Sequence, residues 1–233
     1  MSAPGPTVAV VIPAAGSGRR MGSVRKQYLE LAGEPVLLRT LRPFLAHPSV
    51  RWIVVALPEA DVAEPPAWLR DLDARVTLIA GGDERAESVR RALDSVPEEA
   101  DVVVVHDAAR PLVTRTLIDR TLASVTKEQG AIAALPIGDT VKRVGKDGVI
   151  EGTPDRGRLW RAQTPQAFPR ALLLEAYRAA AAVGTIEATD DAAVVERNGG
   201  RVVVVDGDPE NLKVTEPADV IIATALLGRR GER

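Results

Sequence analysis

Glycine and positive charge meet in one short stretch of the chain. From Val8 to Gly22 it reads VAVVIPAAGSGRRMG: an apolar run reaches Pro13, Ala14 and Ala15, and then Gly16, Gly18 and Gly22 are interleaved with Ser17, Arg19 and Arg20. Glycine lets backbone N–H groups approach an oxyanion with no side chain in the way. Arg19, Arg20 and the following Lys26 supply charge to neutralise it. A triphosphate carries about four negative charges, so three cations match it in kind. The competing reading is a dinucleotide-binding turn, because the spacing Gly16, Gly18, Gly22 nearly copies that fingerprint. No clear acidic residue closes a second strand about 20 residues on, and two consecutive arginines exceed what a pyrophosphate on a helix N-terminus needs. No Gly-Lys-Ser/Thr follows the glycines, which argues against a P-loop.

A second cluster follows VVVV, where His106-Asp107-Ala108-Ala109-Arg110-Pro111 stands. A carboxylate directly after a buried strand can hold Mg²⁺, which favours oxygen ligands shared between protein and phosphates. Asp107 can equally cap the turn or pair with Arg110. His106 suggests a triad, but no Gly-x-Ser-x-Gly elbow occurs, so it reads as packing or support for its neighbours. His47, in AHPS, reads as a helix-end residue. The chain has no cysteine and two histidines, which excludes thiolate catalysis and Cys-based zinc sites and strains any site built from several histidines. Only Lys26, Lys127, Lys142, Lys146 and Lys213 among the 30 basic residues are lysines. Lysine is a compact point charge that arginine does not replace, which ranks Lys26 and Lys213 as candidates.

These groups must be carried by a scaffold. Continuous apolar, β-branched runs recur at residues 8–12, 52–57, 76–80, 102–105, 131–136 and 202–205, the pattern of strands buried on both faces. Helix-like stretches lie at 36–46, 63–72, 85–95, 115–128, 170–182 and 218–227. The alternation predicts an α/β fold, a Rossmann-like three-layer sandwich around a mainly parallel sheet. One segment breaks the rhythm: Asp139–Thr153 alternates on both sides of Lys146-Asp147-Gly148, and Asp-Gly predicts a two-residue hairpin turn. Such a β-arm, over 138–158, projects from the sheet. It is either surface decoration or a dimerisation element, since an exposed ribbon needs something to cover its edges. In an open parallel sheet ligands bind beyond the carboxyl ends of the strands. GGDERAESV after the third strand, HDAARP after the fourth, PIGDTVK after the fifth and ENLKVT near the C-terminus all fall on that edge with the first loop.

At 233 residues the chain reads as one domain, 1–233, carrying that arm. A formal charge of -2 and the lack of a long basic block give no reason to expect nucleic acid. No apolar run approaches the roughly 18 residues of a membrane span, and MSAPGPT shows no secretory signal. The expectation is a cytoplasmic protein with no membrane partner.

With these motifs in view, the chain resembles the 2-C-methyl-D-erythritol 4-phosphate cytidylyltransferase family of the non-mevalonate isoprenoid pathway. PAAGSGRRM, KQYL, GGDERAESV, VHDAARP, DTVK, LWRAQTPQAF, TDDA and ENLKVT occur in that family's order and approximate spacing, across residues 8 to 215. The resemblance implies a Mg²⁺-dependent transfer of CMP from CTP to the substrate's phosphate, with release of pyrophosphate, by a homodimer joined through the arm. It implies that Arg20 and Lys26 stabilise the transition state, and that Lys213 and Arg156 hold the methylerythritol phosphate, Arg156 reaching the neighbouring subunit's site. Pro13, Ala14, Ala15, Gly16, Ser17, Gly18, Arg19, Gly82, Asp83, Ser88 and Ala108 match nucleotide-binding positions. Asp107, Arg110, Thr140, Thr164 and Thr189 match positions near the sugar phosphate, with Asp107 also the candidate metal ligand if the ion is not held by CTP phosphates alone. The family commonly has a proline before the lysine of KQYL; here Arg25 stands there after a shorter loop.

The residues suit that chemistry independently. Nucleotidyl transfer asks for positioning and charge stabilisation, and a phosphate nucleophile is already ionised and needs no general base. A cytidylyltransferase acting on ribitol 5-phosphate or another polyol phosphate shares the nucleotide half of such a site. A catalytically silent nucleotide-binding module is disfavoured by the presence together of Arg20, Lys26, Asp107 and Lys213.

Overall fold

The computed structural model describes residues 5–16, 25–184 and 188–231. Strand β1 (Val8–Pro13) is followed by a small hairpin, β2 (Glu30–Leu31) and β3 (Glu34–Pro35), then α1 (Val36–Leu45) and β4 (Val50–Leu57). Short helices α2 (Glu59–Ala63) and α3 (Ala67–Arg70) lead to β5 (Val76–Ala80), α4 (Arg85–Leu93), β6 (Val102–Val105), α5 (Arg115–Ala123) and β7 (Gln129–Pro136). After the arm strands β8 (Arg143–Val144) and β9 (Ile150–Gly152) come β10 (Trp160–Pro169), α6 (Arg170–Ala182), α7 (Asp191–Arg197), β11 (Arg201–Asp206) and α8 (Pro217–Arg230).

The main sheet has seven strands in the order β11-β7-β10-β6-β1-β4-β5. The apolar runs are continuous because both faces are covered. Val8, Val10 and Ile12 of β1 pack with Leu37, Leu41 and Phe44 of α1 and Leu117 and Ile118 of α5. Ala9 and Val11 face the other way, toward Val89 of α4, Leu173 and Tyr177 of α6 and Val195 of α7. This is the three-layer α/β sandwich that the sequence predicts. The chain runs outward from β1 through β4 to β5 and returns to β6 on the opposite side of β1. The strand order reverses between β1 and β6, which is where an open α/β sheet leaves a ligand crevice.

All six predicted strands are present, and a seventh was missed. β10 lies between β6 and β7 and is antiparallel to both. Its sequence, WRAQTPQAFP, hides it: a proline in mid-run argues against a central strand. The pairing register shifts between Ala162 and Gln166, so Gln163, Thr164 and Pro165 leave the ladder there, with the Thr164–Pro165 peptide cis. The predicted helix 63–72 shrinks to α3, because Pro65 and Pro66 fall at its start, and α2 before it was not predicted. The predicted helix 115–128 ends at Ala123, α7 was not predicted, and α8 extends to Arg230.

The arm is present, with its turn corrected. The Gly145 N–H donates to the Val149 carbonyl and the Gly148 N–H to the Gly145 carbonyl. Gly148, at φ 83, is the loop residue in the left-handed region. The loop therefore has three residues rather than two, a type I turn closed by a glycine bulge. Val144, Val149 and Ile150 on this ribbon are exposed.

Candidate active site

Backbone hydrogen bonds extend the sheet past its strands and bring three loops side by side. The Ala14 N–H donates to the Ala56 carbonyl, Gly81 to Leu57 and His106 to Val11. Close approach then selects the residue type. A Cβ on Gly81 would lie 2.4 Å from the Ala15 Cβ, and one on Gly82 would lie 2.2 Å from the Glu87 Cγ. Ser88, buried on α4, accepts from the Gly82 N–H at 3.0 Å, and its single hydroxyl proton is within reach of the carbonyls of both Gly82 and Glu84, pinning the turn.

The result is a cavity of about 400 Å³ lined by Pro13, Ala14, Ala15, Gly16, Lys26, Gln27, Gly82, Asp83, Glu84, Arg85, Ser88, Asp107, Ala108, Ala109 and Lys213. A second cavity of about 200 Å³ adjoins it, lined by Arg85, Asp107, Arg110, Ala162, Gln163, Thr164, Gln166, Thr189, Asp190 and Lys213. The two share Arg85, Asp107 and Lys213 as a common wall. The first offers small side chains and backbone; the second offers hydroxyls, amides and charge.

Lys213 reaches this wall from the far end of the chain because its segment is tied down on both sides. The Val214 N–H donates to the Ala109 carbonyl, and Arg110 Nη1 donates to the Asn211 carbonyl at 2.8 Å. Thr215 is fixed by the Asp219 carboxylate at the start of α8, and its carbonyl accepts from Lys26 Nζ at 3.0 Å. Lys26 and Lys213 thus line one cavity although 187 positions separate them (213 − 26).

Asp107 sits among three cations. Its Oδ1 accepts from Arg85 Nε at 3.0 Å, and its Oδ2 lies 3.3 Å from Arg110 Nε and 3.0 Å from Lys213 Nζ. Burial alone would raise its pKa, but Arg85, Lys213 and Arg110 together hold it well below the usual carboxylate range. Arg85 also donates from Nη2 to Asp191 Oδ2 at 2.7 Å, and Asp191 is fully buried, accepting from the Tyr177 hydroxyl at 2.7 Å. Burial pulls the Arg85 guanidinium down in pKa; Asp191 and Asp107 more than offset it. Asp190 caps α7 through the Ala193 N–H, and Gln166 accepts from the Asp191 and Ala192 N–H groups, so TDDA anchors this network.

His106 belongs to the frame, as the sequence suggests. It is fully buried, against Phe44 with ring centroids 5.1 Å apart. Its Nε2 lies 3.2 Å from the Arg110 carbonyl, which can only accept. Burial lowers its pKa to about 3, so the ring is neutral and Nδ1 accepts from the Thr164 hydroxyl at 3.0 Å. That leaves a Thr164 lone pair for the Asp107 N–H, also at 3.0 Å. The hydroxyl predicted near the sugar phosphate therefore also orients the backbone of Asp107. His47, 2.8 Å from Asp119, ties the end of α1 to α5.

Of the predicted site residues, Pro13, Ala14, Ala15, Gly16, Lys26, Gly82, Asp83, Ser88, Asp107, Ala108 and Lys213 meet at the larger cavity, and Arg110, Thr164 and Thr189 at the smaller. Ser17, Gly18, Arg19 and Arg20 lie outside the described residues. Thr140 and Arg156 are on the exposed arm and line neither cavity of their own chain; Arg156 Nη1 donates to the Gly138 carbonyl. Arg25 pairs with Asp61, which also accepts from the Tyr28 hydroxyl at 2.8 Å. Its guanidinium is thus engaged away from the cleft wall. Arg85 is the principal residue that sequence reasoning missed, though it stands inside the quoted motif GGDERAESV. Asp107 is the cleft carboxylate that both cavities share, and among the described residues no group of three or more His, Cys, Asp or Glu side chains is arranged to hold a metal ion.

The family model described as 2-C-methyl-D-erythritol 4-phosphate cytidylyltransferase matches residues 8–229. A relative of that name from Symbiobacterium thermophilum is 46% identical over 221 residues, 94% of this chain and 92% of that protein. Among solved structures, a 4-diphosphocytidyl-2C-methyl-D-erythritol synthase from Anaerococcus prevotii superposes with a TM-score of 0.84 at 29% identity, covering 97% of this chain and all of that one. The 2-C-methyl-D-erythritol 4-phosphate cytidylyltransferase of Thermus thermophilus gives 0.79 at 34% identity, covering 94% and 98%.

Proposed function

Because the chain belongs to the 2-C-methyl-D-erythritol 4-phosphate cytidylyltransferase family, we infer that its double cleft carries out that transfer: CMP passes from CTP to the methylerythritol phosphate. The observation that carries this reading is the shared wall of Arg85, Asp107 and Lys213 between two differently lined cavities. The nucleotide occupies the larger, against the backbone of Ala14–Gly16 and Gly82–Asp83, and the polyol phosphate the smaller, beside Arg110, Thr164 and Thr189.

A phosphate oxygen of the acceptor attacks the innermost phosphorus of CTP, a P–O bond forms, and the bond to the bridging oxygen breaks as pyrophosphate leaves. The nucleophile is already an anion, so no base is required. Lys26 and Lys213 stabilise the charge that builds on the phosphoryl oxygens. Asp107 keeps Lys213 on the wall between the substrates while Arg85 and Arg110 hold Asp107 in place. Arg19 and Arg20 are assigned to the triphosphate from the sequence alone.

The donor set fits Mg²⁺ held mostly by the nucleotide. Asp107, the carboxylate that both cavities share, is already paired with three cations, and among the described residues no group of three or more carboxylates or histidines is arranged to hold an ion, but Mg²⁺ is commonly bound through one or two carboxylates and substrate phosphates. Asp107 is the residue that would contribute a ligand, and the ion, when bound, would offset charge on the phosphates. The exposed apolar ribbon supports a homodimer through the arm, which would carry Arg156 and Thr140 to the neighbouring cleft. No helix among the described residues is long and apolar enough to cross a membrane, and the lack of cysteine suits a reducing compartment, so we place the enzyme in the cytoplasm.

Pyrophosphate release with CTP and Mg²⁺, measured with methylerythritol phosphate and with ribitol 5-phosphate, tests the reading. Preference for methylerythritol phosphate is expected; faster turnover of ribitol 5-phosphate would overturn the substrate assignment.

A further inference from the structure

Between α1, the start of α5 and the end of α8 lies a cavity of about 610 Å³ that shares no lining residue with the two cleft cavities. Four arginines line it: Arg39 and Arg42 of α1, Arg115 at the start of α5 and Arg230 at the end of α8. Glu34 is the one carboxylate among the lining residues, and Arg39 and Arg42 share it. Arg39 is the fixed point, with only 7% of its surface exposed. Its Nε donates to the Leu31 carbonyl at 2.6 Å and its Nη2 to the Ala32 carbonyl at 2.9 Å, which holds the turn between β2 and β3. Its Nη1 has no acceptor among the described residues and is not one of the occluded side-chain atoms there, so it keeps accessible surface, and the cavity is what that residue lines. The Arg42 and Arg115 side chains are 58% and 60% exposed. Arg115 lies 3.5 Å from Asp119, which is also bonded to His47. At the same end of α5 the Thr114 hydroxyl and carbonyl take the N–H groups of Leu117 and Ile118, which leaves those of Arg115 and Thr116 without an acceptor among the described residues, and no acidic residue stands in the first turn.

We propose that this cavity is a second binding site, for a phosphate group carried by a small molecule, with Arg39 Nη1 and the guanidiniums of Arg42 and Arg115 as its donors. A concave wall with such an excess of one sign focuses its field on an entering anion. Guanidinium forks match the oxygens of a phosphate in pairs, and the open start of α5 adds the positive end of a helix. A phosphate group brings about −1.5 to −2 charges at pH 7, nearer the excess on this wall than a single carboxylate comes. Arg230 supplies charge rather than contacts, because Glu210 takes its Nε and Nη2 and the Leu112 carbonyl its Nη1. The site stands apart from the cleft, so it does not depend on how the cleft is read.

Inorganic pyrophosphate is the probe, and since the cleft attracts it too, the titration uses a Lys26→Ala/Lys213→Ala protein whose fold is checked by circular dichroism. Calorimetry should still show pyrophosphate binding. Adding Arg42→Gln and Arg115→Gln, both at exposed positions, should weaken it about tenfold or more with the melting temperature nearly unchanged. Inorganic phosphate and sulfate should compete, and acetate at equal ionic strength should not. In the otherwise wild-type chain R42Q/R115Q should leave CTP affinity and turnover as they are, which separates this site from the cleft. Absence of pyrophosphate binding in K26A/K213A, or binding that R42Q/R115Q does not weaken, would overturn the site. Equal competition by acetate would overturn its assignment to phosphate.

Discussion

Removing Arg85 should damage the protein more than removing a surface cation, and by a size that the geometry sets. Its guanidinium bridges Asp107 at 3.0 Å and Asp191 at 2.7 Å. In Arg85→Met, Asp107 keeps Lys213 and Arg110, but Asp191, with no exposed surface, keeps only the Tyr177 hydroxyl on its carboxylate among the hydrogen bonds seen here. Breaking a buried pair from one side leaves an uncompensated charge and costs about 3–5 kcal/mol. For a chain of this size that corresponds to a fall in melting temperature of roughly 10 °C. Adding Asp191→Asn removes the stranded charge and keeps an oxygen for Tyr177, so the double variant should recover most of the loss. Urea unfolding at pH 7 of wild type, R85M, D191N and R85M/D191N gives the coupling directly. A loss under about 1 kcal/mol in R85M, or a double variant no more stable than R85M, would refute the assignment of Arg85 as the buried bridge.

Lys26→Ala and Lys213→Ala should each lower kcat about 10²–10³-fold with circular dichroism unchanged if, as proposed, each removes a cation beside the transferring phosphoryl group; near-normal turnover in either would mean that the phosphates lie elsewhere. His106 gives an acid signature. Its pKa falls to about 3 from an ordinary value near 6.5, so between these values the unfolded chain binds a proton that the folded chain refuses. Stability should therefore fall with pH, by about 2–3 kcal/mol between pH 6.5 and 4.5, and a flat urea midpoint across that window would contradict a buried neutral ring. If the arm crosses between subunits, mixing Arg156→Ala with Lys213→Ala subunits restores an intact cleft in each mixed dimer, and activity should reappear; inactive mixed dimers, verified by tag exchange, would place Arg156 in its own chain's cleft or in none.

The sheet was legible because its parallel strands are buried on both faces and advertise themselves as unbroken valine-rich runs. β10 was not, although it occupies the middle of the same sheet. Its first three residues are exposed and carry the chain off the arm, and Gln163, Thr164 and Pro165 leave the ladder. They do so for the site: Gln163 is held by Asp208 and Asn211, and Thr164 by His106 and Asp107. A strand bent to serve a pocket loses the pattern by which strands are read. α7 was missed for a related reason, since seven residues led by two aspartates look like a loop until Asp190 is seen capping the turn and Asp191 is seen pointing inward at Arg85.

Sequence reasoning found the cations of the cleft far more readily than the groups that make them usable. Arginines and lysines near glycines are visible as letters; whether they are free, paired or turned away is decided by partners remote in the chain. Arg25 stands directly before Lys26 in the sequence, yet Asp61 holds it, and Arg85 went unremarked because it is one arginine in a helix that also contains Arg90 and Arg91. Those two pair with Glu87 on the surface, while Arg85 turns inward to two carboxylates. The same logic explains Asp107. A cleft that gathers Arg85, Arg110 and Lys213 with no anion between them would set three like charges against one another in a partly dry space. The carboxylate relieves that repulsion in the free protein and fixes where the ammonium of Lys213 stands. Arg85 and Arg110 are largely enclosed, whereas Lys213 keeps 41% of its side chain exposed. It is the member of the set with room to meet an incoming phosphate while Asp107 remains neutralised by the other two.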